Sequence, residues 1–366
     1  MIAMSEARSI RPLLVAPYGQ HGGSEMVMLR MLDRFDERIQ AQALLLGGGT
    51  FAEMLRERGI PVDVEDMPGK QGVLRFPGAL LRARRRFAGA GVSLIHANGT
   101  KAVLFAIPLS RLLGVPLLWM KHDHFWDGRV SRLLARFCAR LVCVSEGMAA
   151  QFPPQVRART VVAYPGVRIP DEPPDVRQTE PLIVCVGRLD PSKGFYDVIR
   201  ATRILRDRGV DARLRVAGPV DRIHTGHAAE LEQLVVDLEL SDVAEVGWAD
   251  DLDELYRRAR VVAMASRPDV PGKPSEGAPT VLMEAMANRR PVVAPREGGM
   301  AEVMGPVGTL VDDLTPEGLA DALEPYLRDV ELAAAVGAEG RERATECFSM
   351  ERTVQTLETV YAEMSH

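Results

Sequence analysis

Glu276 and Glu284 bracket the stretch Glu276-Gly277-Ala278-Pro279-Thr280-Val281-Leu282-Met283-Glu284. Pro279 suits the first turn of a helix, where its missing N–H would have no partner anyway. The N–H groups of Thr280, Val281 and Leu282 are then expected to point at whatever lies before that helix, which is an anion site. Glu276 falls on the preceding loop and Glu284 about one and a half turns into the helix, so the two carboxylates reach different parts of one extended ligand. Earlier in the chain, Val186-Gly187-Arg188-Leu189-Asp190-Pro191-Ser192-Lys193-Gly194-Phe195 brings two cations to one strand-end loop. Arg188 and Lys193 suit a diphosphate, whose negative charge grows as it departs from a bond being broken. Read one at a time, these features have plain alternatives: an exposed basic loop, or glutamates on the solvent side of a helix.

Glycine turns add to the pattern. Gly19-Gln20-His21-Gly22-Gly23-Ser24-Glu25 follows an apolar run and precedes a helical one, and Gly298-Gly299 does the same later on. Without a Cβ, such turns let a ligand approach backbone N–H groups, although tight turns also use glycine for local reasons. Lys121-His122-Asp123-His124 follows a strand-like run, so His122 could face a ligand's hydroxyl groups or be a satisfied structural residue. The two histidines lack the spacing of helical zinc ligands, and no metal is expected. Asp251-Leu252-Asp253 opens a helical pattern and reads as capping rather than as a metal-binding pair.

These residues need a scaffold that delivers strand ends to one side, and the apolar periodicity supplies it. Strand-like runs at 13–16, 43–46, 93–96, 116–120 and 141–144 alternate with amphipathic stretches at 26–35, 51–58, 74–87 and 101–113. The proline-rich segment 164–181 breaks the rhythm and is expected to be an interdomain linker. The rhythm resumes at 182–186, 214–217, 243–246, 261–265 and 292–294, and helices follow from 316 onward. Two Rossmann-like α/β domains with parallel sheets are predicted, ligands lying outside the carboxyl ends of the strands.

Taken together, Gly22-Gly23-Ser24-Glu25, the stretch 186–195, the pair Glu276 and Glu284, Pro291-Val292-Val293-Ala294 and Gly298-Gly299 resemble the retaining glycosyltransferase family 4 along nearly the whole chain. The resemblance implies a GT-B fold, in which two Rossmann-like domains face a central cleft. It implies an acceptor domain over 1–170, rejoined by a C-terminal helix at 350–366, and a donor domain over 171–349. It further implies transfer of a sugar, with retention and without a metal or other cofactor, from a UDP- or GDP-sugar to a hydroxyl of a natural-product intermediate, lipid-linked saccharide or polysaccharide. By the same resemblance Gly22 and Gly23 approach the donor phosphate, while Arg188 and Lys193 neutralise the diphosphate. Glu276, Gly277, Ala278, Pro279, Thr280 and Val281 line the donor site, with Glu276 at the sugar and Glu284 at the ribose. His122 contacts the sugar, and Glu276, His122, Arg188 and Lys193 are the expected catalytic group. Two stretches depart from the family pattern: Ala217-Gly218-Pro219-Val220-Asp221, where a second glycine pair is common, and the long loop 267–275.

Composition bounds the alternatives. The chain of 366 residues carries a net charge of -5, which offers nucleic acid no global attraction. Its four cysteines lack metal-ligand spacing and read as core residues of a reducing compartment. No run approaches the length of a membrane span and the first residues lack a signal-peptide core, so a cytoplasmic protein is expected. Contact with anionic lipid through Arg82-Ala83-Arg84-Arg85-Arg86 is the less favoured reading of that cluster. A nucleotide-sugar epimerase and a non-catalytic nucleotide-sugar binding module remain as alternatives on the same fold. A dinucleotide oxidoreductase is weaker, because the first glycine turn lacks G-x-G-x-x-G spacing.

Overall fold

The computed structural model describes residues 9–17, 23–67, 71–124, 126–221, 223–268 and 274–365, without the side chains of 71–74. The chain divides into two compact units. Unit 1 comprises Met1–Gly166 with Met350–His366, and unit 2 comprises Val167–Ser349.

Unit 1 runs β1 (Pro12–Ala16), α1 (Gly23–Leu32), β2 (Gln42–Leu45), α2 (Thr50–Glu57), β3 (Val62–Val64), α3 (Gln71–Phe87), β4 (Leu94–Asn98) and α4 (Thr100–Leu113). It continues through β5 (Leu117–Lys121), α5 (Arg129–Ala135), β6 (Arg140–Cys143), α6 (Glu146–Ala150), α7 (Pro154–Arg157) and β7 (Thr160–Val162). The sheet order is β3-β2-β1-β4-β5-β6-β7. Every pairing is parallel, with Leu14 of β1 in register with Ala43 on one side and His96 on the other. Central strands such as Pro12–Ala16 are buried at every position, as expected of a parallel sheet covered on both faces.

Unit 2 runs β8 (Leu182–Val186), α8 (Phe195–Asp207), β9 (Arg213–Ala217), α9 (His227–Asp237), β10 (Ala244–Gly247), α10 (Leu252–Arg258) and β11 (Val261–Ala263). Then come α11 (Thr280–Ala287), β12 (Val292–Pro295), α12 (Gly298–Met304), β13 (Thr309–Val311), α13 (Pro316–Arg328) and α14 (Val330–Phe348). Its parallel sheet has the order β10-β9-β8-β11-β12-β13. In both units the strand order reverses beside the first strand, which is the doubly wound arrangement the alternating pattern predicts.

The last helix, α15 (Met350–Met364), belongs to unit 1. It buries Met350, Val354, Leu357, Val360 and Tyr361 there, each contributing about 1.5–3 kcal/mol relative to exposure. Thr353 Oγ1 donates to the Tyr164 carbonyl at 2.9 Å. The approach is close enough that a Cβ at Gly166 would lie 2.6 Å from the Met350 Cα.

The boundary between the units, at Gly166 and Val167, falls inside the segment 164–181 expected to link them. That segment is packed: Val167 and Val176 are buried, and Asp175 caps a short 3₁₀ turn at Val176–Gln178. Its prolines break periodicity without removing it from a core. The sequence pattern also missed β3, β7 and β13, which are three-residue edge strands, too short and too mixed in burial for alternation to show.

Candidate functional site

In unit 2, β8 ends at Val186 and the backbone passes Gly187 into a 3₁₀ turn at Pro191–Lys193, capped by Asp190, whose carboxylate accepts from Ser192 N at 2.9 Å. Gly194 closes the turn at φ +67 and stands so near the Ala265 carbonyl, 2.1 Å from an added Cβ, that no other residue fits. Locked between strand and helix in this way, Lys193 extends back across Gly187. Its Nζ lies 2.5 Å from Glu276 Oε1, a residue 83 positions away. Buried Ser266 donates to the same oxygen at 3.0 Å. Lys193 and Glu276 are each 18% exposed, so the pair is shielded yet reachable.

Arg188 is held differently. Asp221 Oδ2 accepts from its Nη1 at 2.8 Å, and Asp190 Oδ2 lies 3.3 Å from Nη2. The side chains of Asp190 and Asp221 are 6% and 4% exposed, whereas that of Arg188 is 60% exposed. The Asp221 carboxyl is held down to about 2 by the backbone N–H groups of His224 and Ile223 and by Arg188. The expected pair of open cations is therefore a set of two cations already matched to three carboxylates. Sequence reading overlooked Asp190 and Asp221; the nearest signal was Asp221 itself, closing the stretch 217–221 that departs from the family pattern.

The loop before α11 is fixed from the next strand. Gly299 N donates to the Glu276 carbonyl at 3.0 Å, and a Cβ on Gly299 would fall 2.1 Å from the Gly277 carbonyl. Gly299 thus spends its N–H on positioning Glu276, so of the pair expected to offer ligand donors Gly299 is already engaged. Gly277, Ala278 and Pro279 lead into α11, with Pro279 as the capping residue one step ahead of the predicted position. Thr280 and Val281 open the helix, and no side chain caps it. Glu284, further along, accepts from the hydroxyl of buried Tyr256 at 3.0 Å. Tyr256 reads in sequence as an ordinary apolar-face residue of α10. Asp251 caps α10 by accepting from Glu254 N at 3.0 Å. In the loop 267–275, Ser275 N donates to Glu297 at 3.0 Å, while 269–273 lie outside the described residues.

In unit 1 the polar groups gather where β4 and β5 end. Asn98 closes β4, and its Oδ1 is 2.6 Å from His122 Nε2. The contact ties the ring to the end of the neighbouring strand, with the Asn98 amide as its hydrogen-bond partner. Burial, reinforced by Lys121 and opposed by Asp123, pushes the His122 ring down to about 4, and burial pushes His96 down to about 3. His96 Nδ1 lies 2.5 Å from the hydroxyl of Tyr361. Beside them Lys121 is fully buried, 2.7 Å from Asp127 and donating to the Asp123 carbonyl at 2.6 Å. Asp127 also takes His124 Nδ1 at 2.6 Å. The Lys121–Asp127–His124 chain pins the loop that carries His122. Gly23 opens α1, whereas Gly22 lies outside the described residues.

Among the described residues no three of His, Cys, Asp and Glu assemble as a metal-binding group, and no helix is long and apolar enough to cross a membrane. A cavity of 610 Å³ lies at the amino ends of β1 and β2 and is lined by none of the site residues.

Residues 21–171 match the model of Glycosyltransferase Family 4, and residues 180–329 match that of Glycosyl transferases group 1. The chain belongs to glycosyltransferase family 4. Among the relatives of this family 4 chain is a GDP-mannose-dependent alpha-(1-6)-phosphatidylinositol monomannoside mannosyltransferase of Mycolicibacterium smegmatis. It is 36% identical over 169 residues, 45% of this chain and 43% of that protein. The lipopolysaccharide core biosynthesis mannosyltransferase LpcC of Rhizobium leguminosarum bv. viciae is 32% identical over 183 residues, 49% of this chain and 50% of that protein. The matched segments thus span about half of these relatives' length or less. The crystal structure of Anabaena Alr3699/HepE in complex with UDP and glucose superposes with a TM-score of 0.80 at 23% identity, covering 96% of this chain and 99% of that one. Sucrose-phosphate synthase from Thermosynechococcus elongatus gives 0.74 at 19% identity, covering 96% and 98%. These likenesses establish the two-domain GT-B fold for the family 4 chain.

Proposed function

We propose that this chain transfers a sugar, with retention of anomeric configuration and without a metal, from a UDP- or GDP-sugar to a hydroxyl of a lipid-linked saccharide, polysaccharide or smaller acceptor. The observation that carries the reading is the meeting of Lys193 and Glu276 at 2.5 Å beside the N-terminus of α11. One cation for a diphosphate, one carboxylate for a sugar and a row of helix N–H groups stand together there. Arg188 and Lys193 take up charge on the departing diphosphate, Glu276 holds the transferred sugar, and Glu284, steadied by Tyr256, binds ribose hydroxyls. His122, a ring that burial keeps neutral, contacts the sugar. GDP-mannose in the name of one relative and UDP in that of one structural neighbour motivate the donor classes. Unit 1 is assigned to the acceptor and unit 2 to the donor. A cytoplasmic location is part of the proposal, in keeping with the unpaired Cys138, Cys143 and Cys185, whose thiols burial pushes up to about 12.

Thermal unfolding with UDP, GDP, ADP, dTDP and NAD, each with EDTA present, tests the donor site. A ligand at about a hundred times its dissociation constant adds ~2.7 kcal/mol of stability. A rise with UDP or GDP alone names the donor series, after which the anomeric configuration of product is read by proton NMR. A rise only with NAD, or none, overturns the reading. Donor turnover that proceeds equally without any acceptor would replace transfer by epimerisation or hydrolysis.

A further inference from the structure

Glu276 is held at its carboxylate by Lys193, which follows β8, and by Ser266, which follows β11. Its backbone is held from another strand, by the turn between β12 and α12. Glu297 stands in that turn as the residue before α12, extended at φ -148, and its side chain does not cap its own helix. The carboxylate crosses instead to Ser275, which directly precedes Glu276 and lies 22 positions back in the chain. Ser275 N donates to Glu297 Oε1 at 3.0 Å, and the Ser275 hydroxyl donates to Oε2. One carboxylate thus takes both donors of one residue, and each bond is charge-assisted.

The glycines after Glu297 bring the two segments close enough for this reach. Gly298 turns through φ +52, where an added Cβ would lie 3.0 Å from the Pro274 Cβ and 3.1 Å from the Glu276 carbonyl oxygen. With Gly299 donating to that same carbonyl, the turn 297–299 lies against 274–277 and grips it at Ser275 and at Glu276. The loop 267–275 that leads into this grip is also fixed where it starts. There Arg267 N donates to the Ser192 carbonyl at 2.7 Å, and its guanidinium meets Asp197 at 2.7 Å. A long loop ending one residue before a functional carboxylate passes its own freedom to that carboxylate unless its end is tied. Glu297 is the tie.

We infer that Glu297 is a positioning residue for the transfer proposed above, a role that rests on Glu276 holding the sugar: its clasp on Ser275 fixes the backbone that carries Glu276 while the donor is bound. Lys193 is assigned to the diphosphate, so donor binding removes one of the two side-chain holds on Glu276 and leaves that of Ser266. The clasp uses no group assigned to the donor and survives this exchange. It keeps the carboxylate in place at the moment when its cation is drawn away. Misplacement of a reacting group by about 1 Å costs roughly a hundredfold in rate, which is the scale on which such a tie acts.

The test compares the full chain with its Glu297→Ala, Glu297→Gln and Ser275→Ala variants. Turnover is read as nucleoside diphosphate released from UDP-glucose, UDP-N-acetylglucosamine or GDP-mannose, and UDP and GDP affinity by calorimetry. Glu297→Ala is expected to lower kcat by about tenfold to a hundredfold while donor KM and nucleoside diphosphate affinity stay within about twofold. Glu297→Gln keeps an oxygen for Ser275 N and should restore kcat to within about threefold of wild type. Ser275→Ala should cost about fivefold, and adding it to Glu297→Ala should cost nothing more, because both remove one contact. Where Glu297→Ala fails to fold, Ser275→Ala and Glu297→Gln carry the comparison. Hydrogen exchange without donor reads the clasp itself: the Ser275 amide should exchange about tenfold faster in Glu297→Ala. Unchanged exchange overturns the inference, as does wild-type kcat in Glu297→Ala, nucleoside diphosphate affinity lost in step with kcat, or losses that multiply in the double variant. A wild-type chain that releases nucleoside diphosphate from none of the three donors overturns the transfer reading instead and takes the role of Glu297 with it.

Discussion

The strand ends of the two units solve the problem of charge in different ways. In unit 1 the cation is sealed: Lys121 is fully buried against Asp127, and His96 and His122 are kept neutral. In unit 2 the cations are lent: Lys193 rests on Glu276 and Arg188 on Asp221 and Asp190, with the basic side chains partly or largely exposed. A sealed pair fixes a loop and exchanges partners only at high cost, whereas a lent pair releases its cation to a stronger anion. On the proposed function a nucleoside diphosphate brings such an anion, and the carboxylate it displaces becomes free for hydroxyl groups.

Breaking the lent pair at its carboxylate is expected to have the largest effect. Glu276→Ala should lower turnover by roughly a thousandfold while nucleoside diphosphate affinity holds, because Lys193 is left without a competitor. Turnover at the wild-type level would remove Glu276 from the site. Next, Lys121→Met should cost about 3–5 kcal/mol in urea unfolding by stranding Asp127, against about 1 kcal/mol or less for Lys193→Met. Equal losses would erase the distinction between sealed and lent pairs. Arg188→Ala combined with Lys193→Ala should weaken nucleoside diphosphate binding about a hundredfold by calorimetry; unchanged affinity moves the phosphate site elsewhere.

A further effect is with pH. The His96 and His122 rings titrate lower when folded than when unfolded, so between about pH 6.5 and pH 4 the unfolded chain holds more protons and stability falls as pH falls. Each ring should contribute a slope of about 1.4 kcal/mol per pH unit over that window, and His122→Gln should remove one such share. A slope that His122→Gln leaves intact would mean that the ring is charged in the folded protein.

How much of this was legible in sequence follows from how each contact is made. Strands such as β1 and β8 are continuous apolar runs, and Gly187, Lys193, Glu276 and Gly299 sit at strand ends that any parallel sheet must bring to one side. The partners that hold them do not share a pattern. Asp221 reaches Arg188 from the end of a different strand, Tyr256 reaches Glu284 across two elements, and Asn98 reaches His122 from the adjoining strand. Each is a side-chain meeting between segments far apart in the chain, and periodicity records only what a segment does with its own faces. Gly299 was legible as a required glycine, but only the backbone path shows its N–H spent on Glu276.

The return of α15 to unit 1 sets an order on synthesis. The segment Val167–Ser349 is continuous and complete before α15 exists, whereas the buried hydroxyl that meets His96 comes from Tyr361. At about 5–20 residues per second, the ribosome needs roughly 10–40 s to travel from the end of β7 to the end of α15. For that interval the first sheet stands with the seat of Met350, Leu357, Val360 and Tyr361 uncovered, so the first half of this protein to be made is the last to be finished.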